Sequence, residues 1–222
     1  MKRPDKPYRV KEIFYSLQGE GAHSGRPSVF LRFSKCNLWT GREADRAQAI
    51  CNFCDTDFVG TDGQNGGVFE TADTLADAVR ALWPGGGQPW VVCTGGEPLL
   101  QLDGPLIEAL HARGFEVAIE TNGTLPVPEG VDWVCVSPKG VAEVVVTDCD
   151  ELKLVFPQAD CPPERFDHIR AGVRFLSPKA SPNIRDGQDA QRDAHTAAAL
   201  NYCLQHPQWR LSLQTHKLLG ID

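Results

Sequence analysis

Trp90-Val91-Val92-Cys93-Thr94-Gly95-Gly96-Glu97-Pro98 decides the fold. A short apolar strand pattern, residues 90–94, runs directly into a double glycine. A helical pattern follows over residues 102–113, with Leu106, Ile107 and Leu110 on one face and Gly114 as its stop. The next run, 115–120, alternates as a strand and closes on Thr121-Asn122-Gly123. Strand, glycine turn, helix and strand in this order form a parallel crossover unit. The same grammar extends outward. Upstream, residues 29–33 are rich in β-formers and lead into Cys36. Residues 60–67 read as a loop, and residues 71–83 set Leu75, Val79 and Leu82 on one helical face before Pro84-Gly85-Gly86-Gly87. Downstream, residues 131–136, 151–156, 173–176 and 211–214 read as strands, 195–205 as a helix, and 181–193 as a polar surface insertion.

Ligands of such folds gather at the carboxyl ends of the strands. Cys36, Gly95, Glu120, Ser137 and His216 each follow a strand, so one shared active-site face is expected. The chain of 222 residues is shorter than the roughly 250 of a full eight-unit barrel. Neither an internal repeat nor a domain boundary interrupts it, so residues 1–222 read as a single domain.

Hydrophobic residues make up 41% and charged residues 23%, enough for a real core. A net charge of −7 argues against a general nucleic-acid binder, which would carry a basic stripe. No apolar run is long enough to cross a bilayer, and the N-terminus lacks the apolar region of a signal peptide. A soluble cytoplasmic protein is expected. Eight cysteines would form disulfides in a secreted chain, but no export signal accompanies them. Cys93 and Cys135 fall in strand-like runs as small core residues, Cys203 in a helical stretch, and Cys149 and Cys161 in polar surroundings.

Cys51-Asn52-Phe53-Cys54 puts two thiols within reach of one metal, and Cys36 arrives from a strand end. Taken alone, the C-x-x-C pair leaves zinc, redox and iron–sulfur roles open. A Cys3His zinc site using His23 is one reading. A three-thiolate iron–sulfur cluster with one open iron is the other, favoured because no fourth cysteine stands at ligand spacing.

Phe53 before Cys54, with Gly95-Gly96-Glu97-Pro98 after the next strand, resembles the radical S-adenosylmethionine (SAM) superfamily. Three residues usually separate the first two cluster cysteines there; here fourteen intervene. That departure resembles one family, the 7-carboxy-7-deazaguanine synthases of deazapurine biosynthesis. Further matches are Ser16-Leu17-Gln18-Gly19-Glu20-Gly21, Phe30-Leu31-Arg32, Cys54-Asp55-Thr56, Glu120-Thr121-Asn122-Gly123, Ser137-Pro138-Lys139 and Gln214-Thr215-His216-Lys217. They extend from residue 16 to the C-terminus.

The resemblance implies an α/β fold, an incomplete TIM-like radical-SAM barrel of the partial β6 type, and a homodimer. It implies that Cys36, Cys51 and Cys54 ligate a four-iron, four-sulfur (4Fe-4S) cluster. SAM would be held by Phe53, Cys54, Asp55, Gly95, Gly96, Glu97, Glu120, Ser137, Pro138, Lys139 and Ser177. Residues 177–180 read Ser-Pro-Lys-Ala where long-loop members carry Gln-Pro-Met-Asp. Gly95 and Gly96 are expected to admit the ligand where a Cβ would intrude. Thr56 would offer its hydroxyl to magnesium (Mg2+), which favours oxygen ligands.

The implied substrate is the small molecule 6-carboxy-5,6,7,8-tetrahydropterin, bound by Leu17, Gln18, Gly19, Glu20, Arg32, Thr94, His216 and Asp222. Glu20 would accept from the amino-pyrimidinone edge, and Arg32 has the planar fork suited to the substrate carboxylate. An adenosyl radical would take hydrogen from C6, the ring would contract, ammonia would leave, and SAM would be regenerated. The electron donor implied is of flavodoxin type. Two other readings stand beside this one. A radical-SAM activating enzyme acting on a partner's glycyl loop would leave Glu20 and Arg32 without a task, and a zinc-binding adaptor would hold one zinc and no iron.

Overall fold

The seven strands expected from the sequence all form, and they lie in parallel within one sheet of nine. The computed structural model describes residues 6–180 and 190–221. In chain order the elements are β1 (Tyr8–Leu17), β2 (Pro27–Phe33), β3 (Gly67–Phe69), α1 (Ala72–Ala81), β4 (Trp90–Gly95) and α2 (Gly104–His111). Then follow β5 (Glu116–Thr121), β6 (Trp133–Val136), β7 (Asp148–Phe156), β8 (Arg170–Pro178), α3 (Ala190–Gln205), β9 (Trp209–Leu211) and α4 (Thr215–Leu219). The sheet order is β3-β1-β2-β4-β5-β6-β7-β8-β9, with β1 antiparallel to both β2 and β3. Among the described residues the sheet does not close on itself, and the architecture is an incomplete TIM-like barrel.

Strand alternation sorts the residues between two faces. Val29, Leu31 and Phe33 of β2, Val91 and Cys93 of β4, and Val117 and Ile119 of β5 pack outward with Leu75 and Val79 of α1 and Leu106 and Leu110 of α2. Leu152 and Leu154 of β7 and Leu176 of β8 join Ala199 of α3 in a second outer core. The alternate residues, among them Arg32, Thr94, Glu120 and Lys153, face the barrel interior and line a cavity. Thr71 caps α1 by accepting from the Thr74 amide at 3.2 Å, and Asp103 caps α2 by accepting from Leu106 at 3.2 Å.

Several expectations are corrected. Ten-residue β1 went unread because its pairing with β2 shifts register between Val10 and Glu12. That bulge breaks the period-two pattern. The sequence reads helices only at 71–83, 102–113 and 195–205, and no α-helix spans β5 to β6, β6 to β7 or β7 to β8. Those connections carry Pro, Gly and Thr in place of a helical stripe. The last strand runs from Trp209 to Leu211, not to Gln214; the Ser212 amide still donates to Leu176 of β8 at 2.9 Å, and its hydroxyl accepts from Gly21 at 2.8 Å. The helix expected at 195–205 begins at Ala190, so the last four residues of the 181–193 insertion are helical, and 181–189 lie outside the described residues. Cys149 and Cys161, expected in polar surroundings, are buried in the second core. All eight cysteines are free. Among the described residues no helix is long and apolar enough to cross a membrane.

Candidate active site

One cavity of about 480 Å³ opens inside the barrel, and residues from nearly every expected motif form its wall. Cys36, Cys51 and Cys54 share it and pack round Leu38 and Ala142. Among the described residues no three His, Cys, Asp or Glu side chains are placed to hold a single metal ion. The three thiols border one hollow, a donor set that could hold three irons of a cluster. His23, the fourth ligand considered for zinc, packs between Trp90 and Trp133, away from the thiols.

The thiols differ electrostatically. Cys51 donates its thiol hydrogen to Cys54, so Cys54 is held down to about 6 and Cys51 is pushed far above the ordinary thiol range. Burial pushes Cys36 up, opposed by the Leu38 amide that donates to its sulfur at 3.4 Å. The fourteen-residue stretch between Cys36 and Cys51 folds into a compact 3-10 turn, Glu43–Gln48. Its Arg46 donates to the carbonyls of Asn52, 3.1 Å, and Cys54, 2.9 Å, and stacks on Trp39 at 4.2 Å. The long connection thus braces the C-x-x-C turn.

Besides lining the cavity, the double glycine packs closely against the backbone that leads to Cys36. A Cβ on Gly95 would lie 2.2 Å from the Phe33 carbonyl oxygen, and one on Gly96 would lie 2.2 Å from that of Lys35 and 2.7 Å from the Cys36 Cβ. The Gly96 and Glu97 amides donate to those carbonyls at 3.3 and 3.0 Å. The glycines therefore let β4 clamp the backbone that carries Cys36. Gly96→Ala is expected to destabilise the fold by about 2 kcal/mol through overpacking and to lower iron content after anaerobic reconstitution. Iron assay and thermal unfolding together check it; unchanged iron would separate the clamp from cluster assembly.

Glu97 is placed differently from the two glycines. Its fully buried side chain stands off the cavity wall, with Oε1 accepting from Thr121 at 2.7 Å and Leu99 at 3.0 Å, and Oε2 from the Asn122 amide at 2.8 Å. Burial raises its pKa despite those donors. It ties the ends of β4 and β5 together. Pro138 is also off the wall, because its neighbours Ser137 and Lys139 take the inward positions. Asp222 lies outside the described residues.

Phe53, Asp55, Thr56, Gly95, Gly96, Glu120, Ser137, Lys139 and Ser177 are all on the wall. Lys139 donates to the carbonyl of Ser137 at 2.7 Å. Leu17, Gln18, Gly19, Glu20, Arg32, Thr94 and His216 are there too. Arg32 Nε donates to Glu12 at 2.7 Å, leaving the outer nitrogens of its fork unused by that pair. His216 seats against Gly19, where a Cβ would come within 2.0 Å of Nδ1, and burial lowers its pKa.

Sequence reasoning missed Lys153. Its ammonium, 7% exposed, lies 3.0 Å from Glu20 Oε2 and 2.9 Å from Glu120 Oε1. Gln214 donates to Glu20 Oε1 at 2.9 Å. This lysine and Gln214 overcome burial and bring the Glu20 pKa down to about 2, although desolvation is the largest single influence on it. The available signal was Glu151-Leu152-Lys153-Leu154, polar at every second position in a strand flanked by parallel neighbours, where both faces are normally apolar.

Residues 46–148 match the model of the Radical SAM superfamily, a span that includes Cys51 and Cys54. The chain is 63% identical over 217 residues to the 7-carboxy-7-deazaguanine synthase of Bordetella pertussis, covering 96% of this chain and 99% of that one. It is 61% identical over 215 residues to the same-named protein of Caulobacter vibrioides, with the same coverage. The crystal structure of QueE from Escherichia coli is similar with a TM-score of 0.64 at 27% identity, over 94% of each chain. With identity this high over nearly its whole length, the chain belongs to the 7-carboxy-7-deazaguanine synthase family of radical SAM proteins.

Proposed function

We propose that this protein converts 6-carboxy-5,6,7,8-tetrahydropterin to 7-carboxy-7-deazaguanine with loss of ammonia, a step of queuosine and other 7-deazapurine biosynthesis. The observation that carries the reading is a single cavity holding three thiols together with Lys153 paired to both Glu20 and Glu120. The three thiols would hold a 4Fe-4S cluster, and the adjoining wall of Phe53, Asp55, Gly95, Gly96, Glu120, Ser137, Lys139 and Ser177 would hold SAM. When bound, the cluster supplies the one electron that opens SAM to methionine and an adenosyl radical.

Glu20 is fixed by Gln214 and Lys153 with both oxygens still able to accept from the amino-pyrimidinone edge. The outer nitrogens of Arg32 would meet the substrate carboxylate at the other end. Gln18 accepts from the Glu20 amide through Oε1 at 3.2 Å, which leaves its NH2 to donate. Thr94 and His216 complete the polar wall. Two charged grips, Glu20 and Arg32, would set the ring orientation.

Magnesium is the finer part of the proposal. Asp57 is engaged by Lys11 at 2.8 Å and Asp55 by Lys217, so Thr56 offers a hydroxyl without a neighbouring uncommitted carboxylate. The substrate carboxylate would have to supply the anionic ligand. We further propose that residues 1–222 act as one domain, supported by the sheet common to both cores. A flavodoxin-type donor and a homodimer complete the reading; Leu204, Leu218 and Leu219, each more than half exposed, are apolar surface that a second subunit would cover. Free thiols throughout fit a cytoplasmic setting.

Anaerobic turnover with SAM, reductant, magnesium and the carboxytetrahydropterin, followed by mass spectrometry, is expected to yield the carboxy-deazaguanine. Intact pterin beside accumulating 5′-deoxyadenosine would retain the radical chemistry and reject the substrate.

A further inference from the structure

Beneath the large cavity is a second, of about 10 Å³, close to the space one water centre needs. It lies between the β1–β2 loop and strands β4, β5, β6 and β7. Among the described residues, three buried side-chain atoms are without a hydrogen-bond partner: His23 Nε2, Trp90 Nε1 and Glu151 Oε1. All three belong to residues lining this one cavity. Trp90 and Glu151 are each 3% exposed. The residues come from three separate segments, so no local turn explains their convergence.

The neighbouring atoms fix what can fill the space. Glu151 Oε2 already accepts from the Ala22 amide at 3.0 Å, which leaves Oε1 as the unmet acceptor. Trp90 carries Arg26 over its ring at 3.7 Å, so its indole N–H is the remaining polar feature. The His23 ring packs against Trp90 and Trp133, with centroids 4.7 and 4.4 Å away, and burial favours its neutral form. A cation would be opposed by the indole N–H, and an anion by Glu151. Water both donates and accepts, and buried polar groups are costly to leave unpaired.

We propose that a single resident water in this cavity accepts from Trp90 Nε1, donates to Glu151 Oε1 and bonds His23 Nε2, fastening the β1–β2 loop to β4 and β7. The same loop carries Gln18, Gly19 and Glu20, and two of these, Gln18 and Glu20, border both cavities. His23 is thus a positioning residue, acting on the substrate pocket through the water and the loop. The pterin role of the loop rests on the function proposed above; the water itself does not.

A high-resolution crystal structure of the anaerobically reconstituted protein tests the site. The expected result is a density peak at hydrogen-bonding distance, about 2.7–3.2 Å, from all three atoms. An empty cavity, or His23 turned to bond Glu151 directly, overturns it. His23→Phe keeps an aromatic ring against both tryptophans and removes the nitrogen. The variant is expected to lose the peak and to raise KM for the pterin about tenfold, with kcat and iron content unchanged, the signature of lost uniform binding. A retained peak removes His23 from the site, and an unchanged KM overturns the anchoring role. If wild-type protein does not turn over the pterin, the substrate reading fails while the density still decides the water.

Discussion

Lys153→Met is expected to reduce kcat/KM for the pterin to background and to destabilise the fold by about 3–5 kcal/mol, the range for removing one partner of a buried ion pair. The ammonium is shared by Glu20 and Glu120, with Glu151 and the Cys135 thiol also in its field. Methionine fills the volume and removes the only positive charge named in that group. Carboxylates left together in a low dielectric would take up protons, and a protonated Glu20 no longer offers two acceptors to a substrate edge. Glu20 is held at about 2 against an ordinary 4.5. A carboxyl with a depressed pKa contributes stability that is complete above about pH 4.5 and is lost as pH falls toward 2. The contribution is about 3 kcal/mol for a shift of that size. Lys153 is shifted upward, so its contribution is complete below its ordinary 10.5 and disappears only as pH rises through its still higher folded value. Denaturant unfolding between pH 2 and pH 6 should therefore show an acid loss in the wild type that is much flatter in Lys153→Met. An equally steep loss in both would mean that other carboxylates dominate acid unfolding.

Cys36→Ala is expected to abolish both activity and cluster retention, from about four irons per chain for a reconstituted 4Fe-4S centre to well below one. The site has no substitute thiol. Cys93 is fully buried in the outer core against α1 and α2, and Cys135 sits deep in β6 with its thiol pushed well up by burial. Cys36 reaches the hollow on a strand end clamped by Gly95 and Gly96, and only from there. Iron analysis, the visible absorption of the cluster and product assay all bear on this result. Full iron with no product would assign Cys36 a role other than ligation.

The parallel strands were legible because each is a short apolar run stopped by Gly, Pro or Asn, a pattern that survives without tertiary information. β1 was not legible, since its bulge at Val10 to Glu12 puts the sequence out of step with the pleat. The placement of the site at the strand ends followed from topology alone. Its polar interior did not: Lys153 looks like any residue of a strand until Glu20 and Glu120 are seen to converge on it from distant segments. Glu97 shows the opposite difficulty. A motif marks a position but not a direction, and this side chain turns away from the cavity to tie two strands together. In the fourteen residues after Cys36 the local signal is the i,i+3 pair of Glu43 and Arg46, 2.7 Å apart, but the carbonyls of Asn52 and Cys54 that Arg46 also holds lie beyond the loop.

The open edge of the sheet also has a kinetic meaning. Gly21 donates to Ser212 across 191 positions, and Thr215 to Gly19 across 196. Contacts of such high order cost chain entropy to close, and a seam that closes after the transition state leaves the folding rate to the more local crossover units. The two outer cores can assemble from local crossover units before this seam closes. The loop bearing Glu20 therefore takes its final place last, and substitutions along the seam should act mainly on the unfolding rate, leaving the speed of collapse unchanged.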